Sequence, residues 1–374
     1  MDKLKKNYLK NLDYMLIFLT IVCTVFGCIE ISSAVRSYSD GSKYVLIQSC
    51  AALAGFILMT IICIINYEKY ENFTGLIYGF CIIFLIAVLV FGTGREDTGS
   101  KSWIRFGGIG IQPSEIVKIG FIITFSKLCS KYGDELNKPK NIFKLLMHAG
   151  LIMGLIMLQP DFGTTMVFIV IFAGILFVAG LSYKYIIAAG ASVAIAIPLV
   201  WNFFLANYQK NRIRVLFDPE SDPLGSGYHV MQSKIAIGSG GVFGKGFGQG
   251  TQTQLDFLPV KHTDFIYSVI GEELGIIGAM IVVLLLFAIV MRCLYVAKKS
   301  KDKFGMYICV GVACMFLAHI FENVGMCIGI MPVTGIPLPF FSYGGSSIIT
   351  NLMAVGLVLS VSKQSNQKMF KQIN

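Results

Sequence analysis

His262, Thr263 and Asp264 stand where a long polar segment enters an apolar run, and on a helix Asp264, Ser268, Gly271 and Glu272 would share one face. Thr263 or Asp264 can serve there as an N-cap; an acid in that place can also be a base that takes a proton from a weakly acidic hydroxyl. Gln112, Glu115 and Lys118 recur every three residues and would form one polar ridge, with Pro113 suited to a first helical position and Ser114 to the capping region. Glu115 and Lys118 can pair with each other or bind a substrate, since charge inside a membrane is expensive and tends to mark a site. In Gln159-Pro160-Asp161-Phe162, Pro160 breaks a helix, and Asp161 can cap the next one or line a polar cavity. His319, Glu322 and Asn323 fall inside another apolar run, where the first two most simply satisfy each other or their neighbours. Pro332, Pro337 and Pro339 then prevent a regular helix ahead of Phe341-Ser342-Tyr343-Gly344-Gly345-Ser346-Ser347. Irregular backbone at membrane depth must be buried in protein or line a wet cavity.

The elements that position these residues follow from composition. Of 374 residues only 14% are charged and 55% are hydrophobic, with a mean hydropathy of +0.71. A soluble chain could not hide that much apolar surface, and disorder, collagen and disulfide scaffolds are excluded as well. Apolar runs lie near 13–34, 44–66, 72–93, 113–130, 143–159, 162–181, 185–206, 265–296, 304–330 and 346–362. They predict an all-α polytopic membrane protein of about ten transmembrane helices, each roughly twenty residues long. Lys127, Lys131, Lys138, Lys140, Lys144, Lys298, Lys299, Lys301 and Lys303 collect on one side, which predicts both termini in the cytoplasm. The formal net charge of +10 does not argue for nucleic acid, because basic residues on a membrane chain first set topology.

The outer side then carries two unusual segments, a polar one at 94–112 and a long Gly-rich one at 207–264 between the seventh and eighth spans. The second holds enough apolar residues, among them Phe243, Phe247, Leu255 and Phe257, to predict an ordered loop dipping back onto the bundle or membrane surface. Its glycines from Gly238 to Gly250 meet neither the dinucleotide nor the Walker spacing, so no nucleotide site follows. They predict a tight-turned loop, or else a nest of backbone N–H groups around an anion. The cysteines lie mostly within apolar runs without metal-ligand spacing. No second domain is visible, and 1–374 reads as one membrane domain.

Taken together these segments resemble the SEDS family of bacterial cell-wall polymerases (shape, elongation, division and sporulation proteins). The resemblance covers nearly the whole chain. It is carried by Trp103-Ile104 with Gln112-Pro113-Ser114-Glu115, by Gln159-Pro160-Asp161, by Asp218-Pro219 through Gly227-Tyr228 and Gln232-Ser233, by His262-Thr263-Asp264-Phe265, by Gly271-Glu272-Glu273, and by Pro332-Val333-Thr334-Gly335 through Ser347. The stretch from Gly250 to Pro259 looks like the rod-shape branch, with a sporulation paralogue left open. Family members commonly carry Glu where this chain has Val260, so no essential acid is expected at that position.

The resemblance implies a peptidoglycan glycosyltransferase of the plasma membrane that polymerises lipid II during cell-wall elongation and releases undecaprenyl pyrophosphate. It implies inversion in a single displacement and places the general base at Asp264. The leaving pyrophosphate needs positive charge, from Arg105, Lys118, Arg212, Arg214, Lys234 or Lys245, or from a divalent cation, magnesium or manganese. Gln112, Glu115, Asp161, His262, Thr263 and Ser342 complete the candidate substrate contacts. The partner implied is a class B penicillin-binding protein, a transpeptidase, with the ninth span and its outer flank as a candidate docking face. Two other readings stand beside this one. A lipid II flippase or transporter would need an ionisable pathway across the membrane, for which Glu272, His319 and Glu322 are the candidates. A non-catalytic scaffold would only position another cell-wall enzyme.

Overall fold

The computed structural model describes residues 12–94, 100–106, 109–203, 207–223 and 225–371. Its helices are α1 Tyr14–Ala34, α2 Gly41–Ile64, α3 Tyr67–Asn72, α4 Thr74–Phe91, α5 Pro113–Tyr132, α6 Pro139–Met157 and α7 Phe162–Val178. They continue as α8 Tyr183–Phe203, α9 Asn207–Phe217, α10 Ser226–Gly240, α11 Thr251–Gln254, α12 Ile266–Lys298, α13 Lys303–Ile328 and α14 Gly345–Lys371. Each of the predicted apolar runs coincides with one of these helices. Among the described residues seven helices, α1, α2, α4, α6, α12, α13 and α14, are long and apolar enough to cross a membrane, and α7 is a shorter apolar helix. The chain is a multi-pass membrane protein.

The bundle is built around α13, which packs against α5, α7, α10, α12 and α14. Its residues, and those of the described start of α14, are mostly buried, whereas α2 and α4 bury few of theirs. Phe18, Leu53, Ile83 and Leu284 are each more than half exposed. In water such large apolar side chains would form a costly surface; against lipid tails they are solvated. Close helix approaches use small residues: Gly27 of α1 lies against the Phe340 carbonyl, and Gly356 of α14 against the backbone of Met59. Two acids pin helix starts. Asp13 accepts from Leu16 N and takes the Arg292 guanidinium at 2.8 Å, and Asp302 accepts from Gly305 N at 2.7 Å and from the Tyr67 hydroxyl.

Both polar segments differ from a plain loop. Part of 94–112 forms an antiparallel hairpin, β1 Ile104–Phe106 with β2 Ile109–Ile111, in the register Arg105 opposite Gly110; positions 95–99 and 107–108 lie outside the described residues. The described residues of 207–264 contain the helices α9, α10 and α11. The buried stripe of α10 is Gly227, Val230, Ser233, Ala236 and Gly240, small residues with little apolar contrast, which is why hydropathy gave no helix there. Gly240 runs so close to the Gly271 carbonyl of α12 that a Cβ would stand 2.0 Å from it.

Candidate functional site

Asp264 sits on a tight turn immediately before α12. The Val260 carbonyl accepts from Thr263 N, Phe265 N and the Thr263 hydroxyl. Val260 pays for that convergence with a φ of 49°, a conformation that β-branched residues rarely adopt. The N-cap position of α12 falls on Phe265, and no side chain caps the helix, so neither Thr263 nor Asp264 does that work.

The Asp264 side chain is half-buried. Its Oδ2 lies 3.5 Å from where a Cβ on Gly335 would stand, and Gly335 has a φ of 73°, so the irregular segment after α13 passes directly over the carboxyl. Burial pushes the Asp264 carboxyl up to about 6, and the charge of Arg212, arriving from α9, acts in the opposite direction. Around it, Ser342 Oγ donates to the Thr263 carbonyl at 2.6 Å, Tyr343 N to the His262 carbonyl at 2.8 Å, and Asn323 Nδ2 to the Asp264 carbonyl at 2.8 Å.

His262 has its ring among Tyr38, Tyr44 and Tyr343, with centroids 5.6, 5.1 and 5.5 Å away. Burial, with the Lys261 charge adding to it, lowers the imidazole to about 4, so the ring is neutral near pH 7 and offers no positive charge to an anion. Sequence reasoning passed over Lys261, which is fully buried and donates to Ser37 Oγ at 2.7 Å, the Thr253 carbonyl at 2.6 Å and Asp256 Oδ1 at 2.5 Å. It ties the motif to the end of α1, and no periodicity in the chain marks it.

The polar ridge of α5 forms a second cluster. Lys118 is fully buried, 2.7 Å from Glu115 Oε1 and 2.8 Å from His319 Nε2. His319 therefore meets a neighbour, Lys118, rather than Glu322, because α5 packs against α13 at that height. Gln112 Nε2 reaches Asp161 Oδ2 at 3.3 Å, and Asp161 caps α7 by accepting from Thr164 N and the Thr164 hydroxyl at 3.1 and 2.9 Å. The pairing reading of Glu115 and the capping reading of Asp161 are thus both realised, in a buried group that also includes Glu322.

The Gly-rich run is a clip on α12. Lys245 pairs with Glu272 at 2.8 Å, and Glu272 also accepts from Gln252 N, Thr253 N and the Thr253 hydroxyl at 2.8, 3.0 and 2.8 Å. Glu273 accepts from the Ser33 hydroxyl and Gly248 N. The backbone N–H groups on Glu272 come from Gln252 and Thr253 of α11, just after the glycine run, whose own Gly248 N goes to Glu273. Lys245 thus pairs with an internal carboxylate, and Glu272 anchors the run to α12. Arg105 lies on β1, whose hairpin is tied to the start of α14 through Ser346 Oγ and the Gly110 carbonyl at 3.4 Å. Lys234 lies on the exposed side of α10 and lays its chain over Gly329. Of the basic candidates, Arg212 is the one whose charge acts on Asp264. Among the described residues no three His, Cys, Asp or Glu side chains converge on a point that could hold a metal ion.

The geometry defines a multi-pass helical protein with an uncapped, half-buried acid beside an arginine, next to a buried polar cluster. Comparison with known proteins identifies the class. The profile of the family described as "Cell cycle protein", spanning FtsW, RodA and SpoVE, matches residues 12–367. The chain is 40% identical over 309 residues to the peptidoglycan glycosyltransferase MrdB of Escherichia coli K12, covering 82% of each chain. It is 33% identical over 361 residues to the probable peptidoglycan glycosyltransferase FtsW of Trichlorobacter lovleyi, covering 95% of this chain and 94% of that one. Among solved structures, a chain from a peptidoglycan synthase complex that coordinates polymerization and crosslinking superposes with a TM-score of 0.81 at 30% identity, over 95% of this chain and 99% of that one. The rod shape determining protein RodA of Thermus thermophilus gives a TM-score of 0.71 at 26% identity, over 94% and 97%. The chain belongs to the FtsW, RodA and SpoVE family.

Proposed function

We propose that this chain is a peptidoglycan glycosyltransferase that joins lipid II units into glycan strands, with Asp264 as general base. The 4-hydroxyl of an incoming lipid II sugar attacks the anomeric carbon of the growing strand. The bond from that carbon to the pyrophosphate oxygen breaks, and undecaprenyl pyrophosphate leaves with the electron pair. A sugar hydroxyl is too weak an acid to ionise freely, so its proton passes to the Asp264 carboxylate as the new bond forms. A carboxyl raised to about 6 suits this work, since it is ionised at neutral pH yet more basic than an exposed aspartate. The departing pyrophosphate needs positive charge, and Arg212, whose charge acts on Asp264, is the basic candidate nearest this chemistry.

The observation that carries this reading is that Asp264 is half-buried beside Arg212 and does not cap α12. The names of the relatives support the reaction class. The likeness to a subunit of a synthase complex supports a partner that crosslinks the product, for which a class B penicillin-binding protein has the chemistry. The Lys and Arg asymmetry supports cytoplasmic termini, with 207–264 outside, where the substrate's sugars meet water while the polyprenyl chain stays in lipid. The test is purified protein with lipid II, with and without magnesium or manganese, and glycan length read on a gel. Polymer is expected. Its absence in every condition, with or without a transpeptidase added, would return the chain to the scaffold reading.

A further inference from the structure

We infer that Asn323 is a positioning residue for Asp264, acting through a clamp in which three successive carbonyls of the motif are held by one unit. The inference rests on the reading of Asp264 as the base. The carbonyls of His262, Thr263 and Asp264 accept from Tyr343 N, Ser342 Oγ and Asn323 Nδ2, at 2.8, 2.6 and 2.8 Å. All three donors belong to α13 and the irregular segment that follows it.

Asn323 is the member that fixes the carboxyl. It is fully buried, and its Nδ2 donates a second bond, at 2.8 Å, to the Ile336 carbonyl. One amide nitrogen thereby bridges the backbone of Asp264 to the residue after Gly335, the glycine that lies over the Asp264 carboxyl. Only a primary amide of this length can do so. Aspartate would set a third acceptor against two carbonyls, and serine has one proton for two acceptors. The bridge keeps the carboxyl under Gly335 and out of bulk water without touching it. The groups that act on or with Asp264 are Arg212 from α9 and Cys327 from α13; on its own segment Lys261 acts on His262, and His229 of α10 packs on the ring of Phe265. None of them replaces the amide, and the Cys327 thiol reaches the same carbonyl only at 3.7 Å.

The test is the pH dependence of polymerisation by the full chain at saturating lipid II, with thermal stability measured on the same samples. In Asn323→Ala the carboxyl gains water. The acidic limb is expected to move down from about 6 toward the ordinary aspartate range. At pH 7.5 kcat is expected to fall by roughly 10- to 100-fold, as for a small misplacement of a reacting group, with KM within about twofold. A purely structural role would lower the active fraction and leave the limb in place, and that result overturns the inference. Should Asn323→Ala fail to fold, Asn323→Ser, which leaves a polar group in the site but is too short to bridge the two carbonyls, must shift the limb in the same direction; a folded Ser variant with an unmoved limb also overturns it. Asp264→Asn separates the two claims. If that variant keeps the acidic limb, the limb never belonged to Asp264, and the base reading fails rather than the clamp.

Discussion

Lys118 and His319, on α5 and α13, meet at 2.8 Å with both side chains fully buried, and Glu115 closes the other side of the ammonium at 2.7 Å. The contact makes the Glu115–Lys118 pair part of the helix packing rather than a local ornament of α5. Removing one partner leaves the other charge buried and alone. Lys118→Met is expected to cost about 3–5 kcal/mol in stability, and Glu115→Gln added to it should recover part of that loss. Thermal unfolding of the single and double variants in detergent checks the cycle. A double variant less stable than Lys118→Met would mean that Glu115 is held by something other than Lys118.

Glu30 is the reverse case. It is 1% exposed near the C-terminal end of α1, close to Glu273, and its Oε2 has no hydrogen-bond partner among the described residues. A buried acid with an unsatisfied oxygen costs free energy, and more whenever it ionises, which an amide of the same shape cannot do. Glu30→Gln is therefore expected to leave polymerisation unchanged and to raise stability by on the order of 1 kcal/mol. A clear fall in melting temperature would show that the acid is needed.

Arg212 and Asp264 give a prediction with a sign. The Asp264 carboxyl is raised to about 6 by burial and held from rising further by Arg212, so Arg212→Gln should move the acidic limb of the rate profile upward, above about 6. Stability follows the same titration. A carboxyl raised in the folded state favours folding fully below the unfolded value near 3.8, and that contribution is lost as pH rises through about 6. The parent should therefore lose stability relative to Asp264→Asn between roughly pH 4 and 6. Melting curves of the two proteins across that range check it. Parallel curves would mean that the carboxyl is not buried as described.

The helical spans were legible because hydropathy alone sets them: a twenty-residue apolar run has few alternatives in a bilayer. The helices of 207–264 were not, because α10 faces α12 through Ser233, Ala236 and Gly240, which carry no apolar signal. Glu115–Lys118 and Asp161 could be read locally, since an i,i+3 pair and an N-cap need only near neighbours in sequence. Lys245–Glu272, Lys261–Ser37 and Asn323–Asp264 could not, because each joins segments that only the packing of α1, α12 and α13 brings together. The choice between cap and base at Asp264 was likewise a matter of one residue in the start of α12, finer than any pattern in the sequence resolves.

The most direct test of the account is Asp264→Asn assayed for lipid II polymerisation. Asparagine keeps the size of aspartate and its capping ability, but cannot take a proton from a sugar hydroxyl at neutral pH. Because α12 starts at Phe265 without a side-chain cap, folding should be near normal at pH 7. Lipid II binding should persist, since the base acts mainly in the transition state, while polymerisation should fall by roughly 10²–10⁴-fold. Glycan chains made by the Asn variant at close to the parent rate would contradict the mechanism and leave Asp264 without a catalytic part.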